Sequence, residues 1–137
     1  MKYGFLLIVN ALLSAACSIE QAPLVASDLS IARPAPGTRM TAAYFTLSNN
    51  TSEPITISAV MSPQFGAVQM HESVIEDGMA RMYALEDVTI PPRESVAFEP
   101  GAKHLMLLQA KSDIHQVTLE FLAGEATMLS VDIALSD

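Results

Sequence analysis

The sequence predicts an all-β fold, an antiparallel β-sandwich or barrel with Greek-key connections. Three observations predict it. Short segments rich in β-branched and aromatic residues recur after residue 28, turn residues separate them at short intervals, and no stretch carries the apolar period of an amphipathic helix. The chain of 137 residues is long enough for one core and too short for two. No internal repeat is visible.

In chain order, Lys2 precedes an apolar run from Phe5 to Ala16, broken only by Asn10 and Ser14. The run is too short for a spanning helix and reads as a secretory signal, expected over residues 1–17. Cys17, the only cysteine, ends it. A lone cysteine makes no internal disulfide, and a free thiol is unusual after export. Its position suggests a lipobox, with Cys17 acylated, although leucine in Leu13-Ser14-Ala15-Ala16 stands one place early. Ordinary cleavage after Ala16 is the alternative. Residues 18–27 are small and polar with Pro23, the composition of a flexible tether. The folded domain is expected over 28–137.

Within it, Ser30–Arg33 is a short strand ended by Pro34, and Ala35-Pro36-Gly37 is a turn. Thr41–Ser48 is a strand closed by Asn49-Asn50. Ile55–Val60 alternates as one half-buried strand. Ala67–Val74 and Met79–Leu85 flank Glu76-Asp77-Gly78, a hairpin signal. Val88–Ile90 runs into Pro91-Pro92, which cannot both lie in a paired central strand. Ser95–Phe98 stops at Pro100-Gly101. Lys103–Gln109, Gln116–Leu122 and Thr127–Ala134 complete about eight or nine strands.

The chemistry gathers between Gln69 and Leu108. Two of the three histidines and four of the seven methionines after Met1 lie there. Imidazole and thioether without thiolate point to copper, and to copper(I) in particular. Strand parity puts His104 and Met106 on one face, with Leu105 and Leu107 on the other. His71 and Met82 stand on the two arms of the hairpin, close enough to complete a four-ligand set. Met70, next to His71, faces away and reads as core. Met79, near the turn, is an auxiliary thioether at the rim. Each of these residues taken singly is more often structural, since methionine is a common core filler. His115 reads as a surface histidine.

The net charge of −8 disfavours nucleic acid and anionic membrane surfaces as partners. The membrane is reached only through the lipid on Cys17. An electron-transfer copper protein would need a cysteine beside two histidines, and the only cysteine lies in the leader. No Ser/His/Asp or Cys/His set is evident, so the chain is not expected to be an enzyme. A structural sandwich whose His and Met merely pack is the remaining alternative.

His71, ten residues, Met82, twenty-one residues, then His104-x-Met106 resembles the motif of the PCuAC family of periplasmic copper chaperones. Tyr44-Phe45-Thr46-Leu47-Ser48-Asn49, Gly78-Met79-Ala80-Arg81-Met82 and Glu99-Pro100-Gly101 before His104 match family words too. The resemblance runs from about Ile31 to the C-terminus. It implies a cupredoxin-like antiparallel Greek-key β-sandwich. It also implies copper(I) held by His71, Met82, His104 and Met106, export to the bacterial periplasm, and transfer to a copper acceptor. That acceptor is the copper centre of cytochrome c oxidase subunit II, reached directly or through a helper chaperone. Copper storage or scavenging is the other use of such a site. One departure is visible: Arg93-Glu94 stands where the family usually has a glycine-bearing turn.

Overall fold

The computed structural model describes residues 18–112 and 114–136; the leader expected over 1–17, with Cys17, lies outside them. Among the described residues there are eleven strands and no helix: β1 (Leu24–Ile31), β2 (Met40–Asn49), β3 (Ile55–Ile57), β4 (Ala59–Met61), β5 (Phe65–Glu76), β6 (Met79–Leu85), β7 (Val88–Ile90), β8 (Ser95–Phe98), β9 (Lys103–Ala110), β10 (Gln116–Ala123) and β11 (Ala126–Ala134).

The large sheet runs β1-β2-β9-β5-β6, and β8 also pairs with β2. A second sheet is β11-β10-β4, and β3 pairs with β7. Strand pairing is antiparallel throughout the sheets. Neighbours such as β2 and β9 are distant in sequence, so the chain crosses between layers, as the predicted fold class requires. Alternation along each strand sends one set of side chains inward. Ala43, Phe45 and Leu47 of β2, Leu105 and Leu107 of β9, and Val117, Leu119 and Phe121 of β10 are all buried. Phe45 joins the layers, stacking on Phe98 at 4.5 Å and meeting Phe121 edge-on at 5.2 Å. Aromatic pairs of this kind add about 1 kcal/mol beyond the area they bury.

Two expectations are corrected. The tether expected over 18–27 ends early, because β1 begins at Leu24 and pairs Leu24–Ser27 with β2. Leu24 is buried, and Asn50 binds the carbonyls of Ala22 and Pro23. Burial of one leucine and the open ladder edge of β2 outweigh the small, polar composition. The single strand expected over Ile55–Val60 breaks at Ser58. Ile55–Ile57 pairs with β7, whereas Ala59–Met61 pairs with β10. Ser58 carries the crossing, donating its N–H to the Leu122 carbonyl and accepting the Gly124 N–H on its hydroxyl.

Asn49 holds the corner where β2 ends. It is buried, and its amide donates to the carbonyls of Glu53 and Ile90 while its oxygen accepts from the N–H and hydroxyl of Thr51. The Asn49-Asn50 turn signal is thus also an internal polar staple, with all its bonds made.

Candidate metal centre

Asp77-Gly78 joins β5 to β6 in two residues, both at positive φ (51° and 75°). That is the type I′ geometry whose twist matches the flanking strands, and it fixes the register. His71 faces Ala84, and Ser73 faces Met82. On the other side of β5, His71 stands directly opposite His104, and Gln69 opposite Met106. Paired residues share a face, and so do residues two apart. His71, Met82, His104 and Met106 therefore lie on one face of the large sheet. Met70 pairs with Leu105 on the opposite face and is buried in the core. Met79 faces Glu76 at the hairpin tip, an odd number of residues from Met82, so the register puts it on the other face. His115 is exposed, ahead of β10.

The two imidazoles lie edge to face, with ring centroids 5.9 Å apart. A metal–imidazole bond is roughly 2 Å. Two rings sharing one ion in an angular to linear arrangement therefore have centroids about 5 to 6.5 Å apart. The observed spacing falls in that interval.

A turn beside β9 sets the chemistry of His104. In Glu99-Pro100-Gly101-Ala102, the Ala102 N–H donates to the Glu99 carbonyl at 3.1 Å, and Gly101 has φ +81°. Proline second and a positive φ third are the signature of a type II turn. The Ala102 carbonyl accepts the Ser73 N–H at 3.1 Å and meets His104 Nδ1 at 3.0 Å. A carbonyl only accepts, so Nδ1 carries the proton, and in the neutral ring Nε2 keeps its lone pair. The turn thus fixes the tautomer that a metal needs, as carbonyl partners commonly do for ligating histidines. His104 is only 5% exposed, which holds the ring in place.

His71 differs. Its Nδ1 is buried with no hydrogen-bond partner among the described residues. Burial, and secondarily the neighbouring His104, hold its pKa below the ordinary histidine value. Both effects favour the neutral ring, which is the ligating form. An unpartnered buried nitrogen is costly unless something binds it.

The reverse face of the hairpin is polar and stitched. Lys103 reaches Glu72 at 2.9 Å, Arg81 lies 3.3 Å from Glu76, and the Tyr83 hydroxyl donates to Glu76 at 2.9 Å. These carboxylates are held on the side away from His71. Among the described residues, no cluster of three or more His, Cys, Asp or Glu has metal-site spacing. The donors on the His71 face are two imidazoles and thioethers, a set suited to a soft ion.

The positioning role of the Ala102 carbonyl is not readable as a residue type, because a main-chain atom has no side-chain signature. Pro100-Gly101 was the available signal, and it marked the turn without revealing what the turn holds.

The fold and this face define the chain as a cupredoxin-like β-sandwich of the PCuAC type. It belongs to the LpqE-like family, described as "Putative lipoprotein LpqE-like", whose family model matches residues 21–133. The chain spans 55% and 63% of the length of two curated relatives that it matches. One of them, "Putative lipoprotein Lxx21020" of Leifsonia xyli subsp. xyli, is 29% identical over 105 residues, 72% of this chain. Among solved structures, CuI-DR1885 of Deinococcus radiodurans superposes with TM-score 0.65 at 26% identity, covering 88% of this chain and 82% of that one. The copper-bound PCuAC domain from PmoF2 superposes with TM-score 0.63 at 21% identity, covering 82% and 92%.

Proposed function

We propose that this protein is a copper(I) chaperone that binds one ion through His71, Met82, His104 and Met106 and hands it to an acceptor without turnover. The observation that carries this reading is the facing His71–His104 pair, one ring held as the ligating tautomer and the other left with an unpartnered nitrogen. Two thioethers share that face. Neutral, soft ligands favour copper(I) over copper(II). Lacking a thiolate, the set releases copper downhill to a thiolate-rich acceptor. Met82 is 53% exposed, so an incoming ligand can reach it. The solved relatives CuI-DR1885 and the copper-bound PCuAC domain from PmoF2 support the choice of metal.

The finer reading places the protein in the bacterial periplasm, exported by its leader and anchored through a lipid on Cys17. The acceptor is the copper centre of cytochrome c oxidase subunit II or a helper chaperone that serves it. The lipoprotein description of the family supports the anchor.

Anaerobic competition against a chromophoric copper(I) chelator tests the core of this reading. The wild-type chain is expected to withdraw one copper(I) from the chelator, and His104→Ala/Met106→Ala to lose the competition. Met79→Leu is expected to compete like wild type if Met79 lies outside the ligand set. Equal retention by the wild type and the His104/Met106 variant overturns the proposal.

A further inference from the structure

We infer that the free edge of β6 is a template on which the copper acceptor adds an extended segment, apolar in the middle and basic at its ends. This rests on the chaperone reading and names the partner chemistry of the same site.

β6 closes the large sheet on one side. No other strand pairs with its outer edge among the described residues. It is seven residues long, about 24 Å at 3.4 Å per residue. Edge strands are usually blunted by proline, bulges or brevity. β6 has no proline, and its register with β5 runs unbroken from Leu85 to Met79. The opposite edge, β1, has such a guard: its register shifts between Ser27 and Ser30, and Asp28 sits at positive φ.

The template is rigid and has a defined character. The stitching of Glu76 to Arg81 and Tyr83 fixes the hairpin from its reverse face. Met79, Met82 and Tyr83 present apolar surface, each about half exposed. Acidic residues stand at both ends: Asp77 in the turn before β6, and Glu86 and Asp87 just after it, all exposed. An added strand with an apolar middle and flanking lysine or arginine matches that pattern by charge and by side-chain class. A second copy of this chain matches it poorly, because it brings the same acidic ends and a net charge of −8.

The placement also serves transfer. A side chain of the added strand opposite Met82 lies on the same sheet face as Met82. A partner methionine, cysteine or histidine there can replace the Met82 thioether while the two histidines still hold the ion.

The test uses the metal-free chain and two synthetic ten-residue extended peptides with a methionine-containing apolar middle. One is flanked by lysines and the other by glutamates. Amide hydrogen exchange is read along β6, and binding is read by fluorescence anisotropy. The lysine-flanked peptide is expected to slow exchange within β6 and to bind at least tenfold more tightly than the glutamate-flanked one. Glu86→Lys/Asp87→Lys, which leaves the ligands and the hairpin stitching intact, is expected to erase that preference. Equal binding of the two peptides, protection elsewhere than β6, or self-association through β6 in light scattering each overturns the inference. Because no copper is present, failure here is distinguishable from failure of the metal site. Copper(I) competition by the same Glu86/Asp87 variant at wild-type strength shows that the site survives independently.

Discussion

Replacing Gly101 with alanine isolates the turn that orients His104. At φ +81°, an added Cβ meets nothing within 4 Å, so the only direct cost is the left-handed backbone. That cost is about 1–2 kcal/mol, less about 0.5–1 kcal/mol because alanine loses less entropy on folding. The net loss is about 0–1.5 kcal/mol. The protein contains its own control. Ala35-Pro36-Gly37-Thr38 is built the same way, with the Thr38 N–H on the Ala35 carbonyl at 2.9 Å, Gly37 at φ +80°, and open space around its Cβ position. Gly37→Ala is therefore expected to cost the same stability in urea denaturation. Only Gly101→Ala disturbs the carbonyl that holds His104, and loss of such a partner weakens metal binding by roughly 10–100-fold. Copper(I) affinity is measured by chelator competition on both variants. Equal stability losses with unchanged copper affinity in both would refute the positioning role of the turn.

Arg93 occupies the third position of Pro91-Pro92-Arg93-Glu94, with the Glu94 N–H on the Pro91 carbonyl and φ +61°. Arg93→Gly is expected to raise stability by up to about 1 kcal/mol in the urea midpoint, since a side chain is strained there. Gly66→Ala would set its Cβ 2.3 Å from Gln109 Oε1 and 2.9 Å from Gln109 Cβ. The amide can swing away but the Cβ cannot, so a loss of about 1–3 kcal/mol is expected. Gln109→Gly in the same chain should recover most of it, because it removes the clash and relieves Gln109 at φ +57°. Acid should destabilise the metal-free fold through His71. Its folded pKa lies below 6.5, so the unfolded chain binds the proton first. The His71 contribution is complete above 6.5 and is lost as pH falls through the folded value. His71→Gln should flatten that part of the thermal-melt profile, and copper(I) loading should do the same by competing with the proton.

The strand pattern was legible where one face is buried and one is wet. Alternation placed β10, the Asn49-Asn50 and Pro100-Gly101 turns bounded β2 and β9, and Asp77-Gly78 announced the hairpin. Parity alone separated Met70, now seen in the core, from His71, whereas Met79, expected as an auxiliary thioether at the rim, pairs with Glu76 on the face away from Met82. Arg93-Glu94 stood out as a departure at the sequence level, and the positive φ of Arg93 shows why glycine suits that position. What the sequence hid follows from long-range geometry. The break at Ser58 depends on a carbonyl of Leu122, 64 residues away. The extension of β1 to Leu24 depends on the open edge of β2. The His104 tautomer depends on a main-chain oxygen, and the carboxylate stitches behind the hairpin depend on the register that the turn imposes.

The early start of β1 bears on where copper could be delivered. Among the described residues, Ala22 is tied to the domain through its carbonyl, which Asn50 binds. An acyl group on Cys17 would stand five residue steps from that tie, at most about 18 Å along a fully extended chain. So short a leash would keep the domain against the lipid surface and would turn the search for an acceptor into one over an area rather than through a volume. Membrane-embedded acceptors would then meet the carrier at a raised effective concentration, and a soluble thief of the metal would gain nothing from the arrangement.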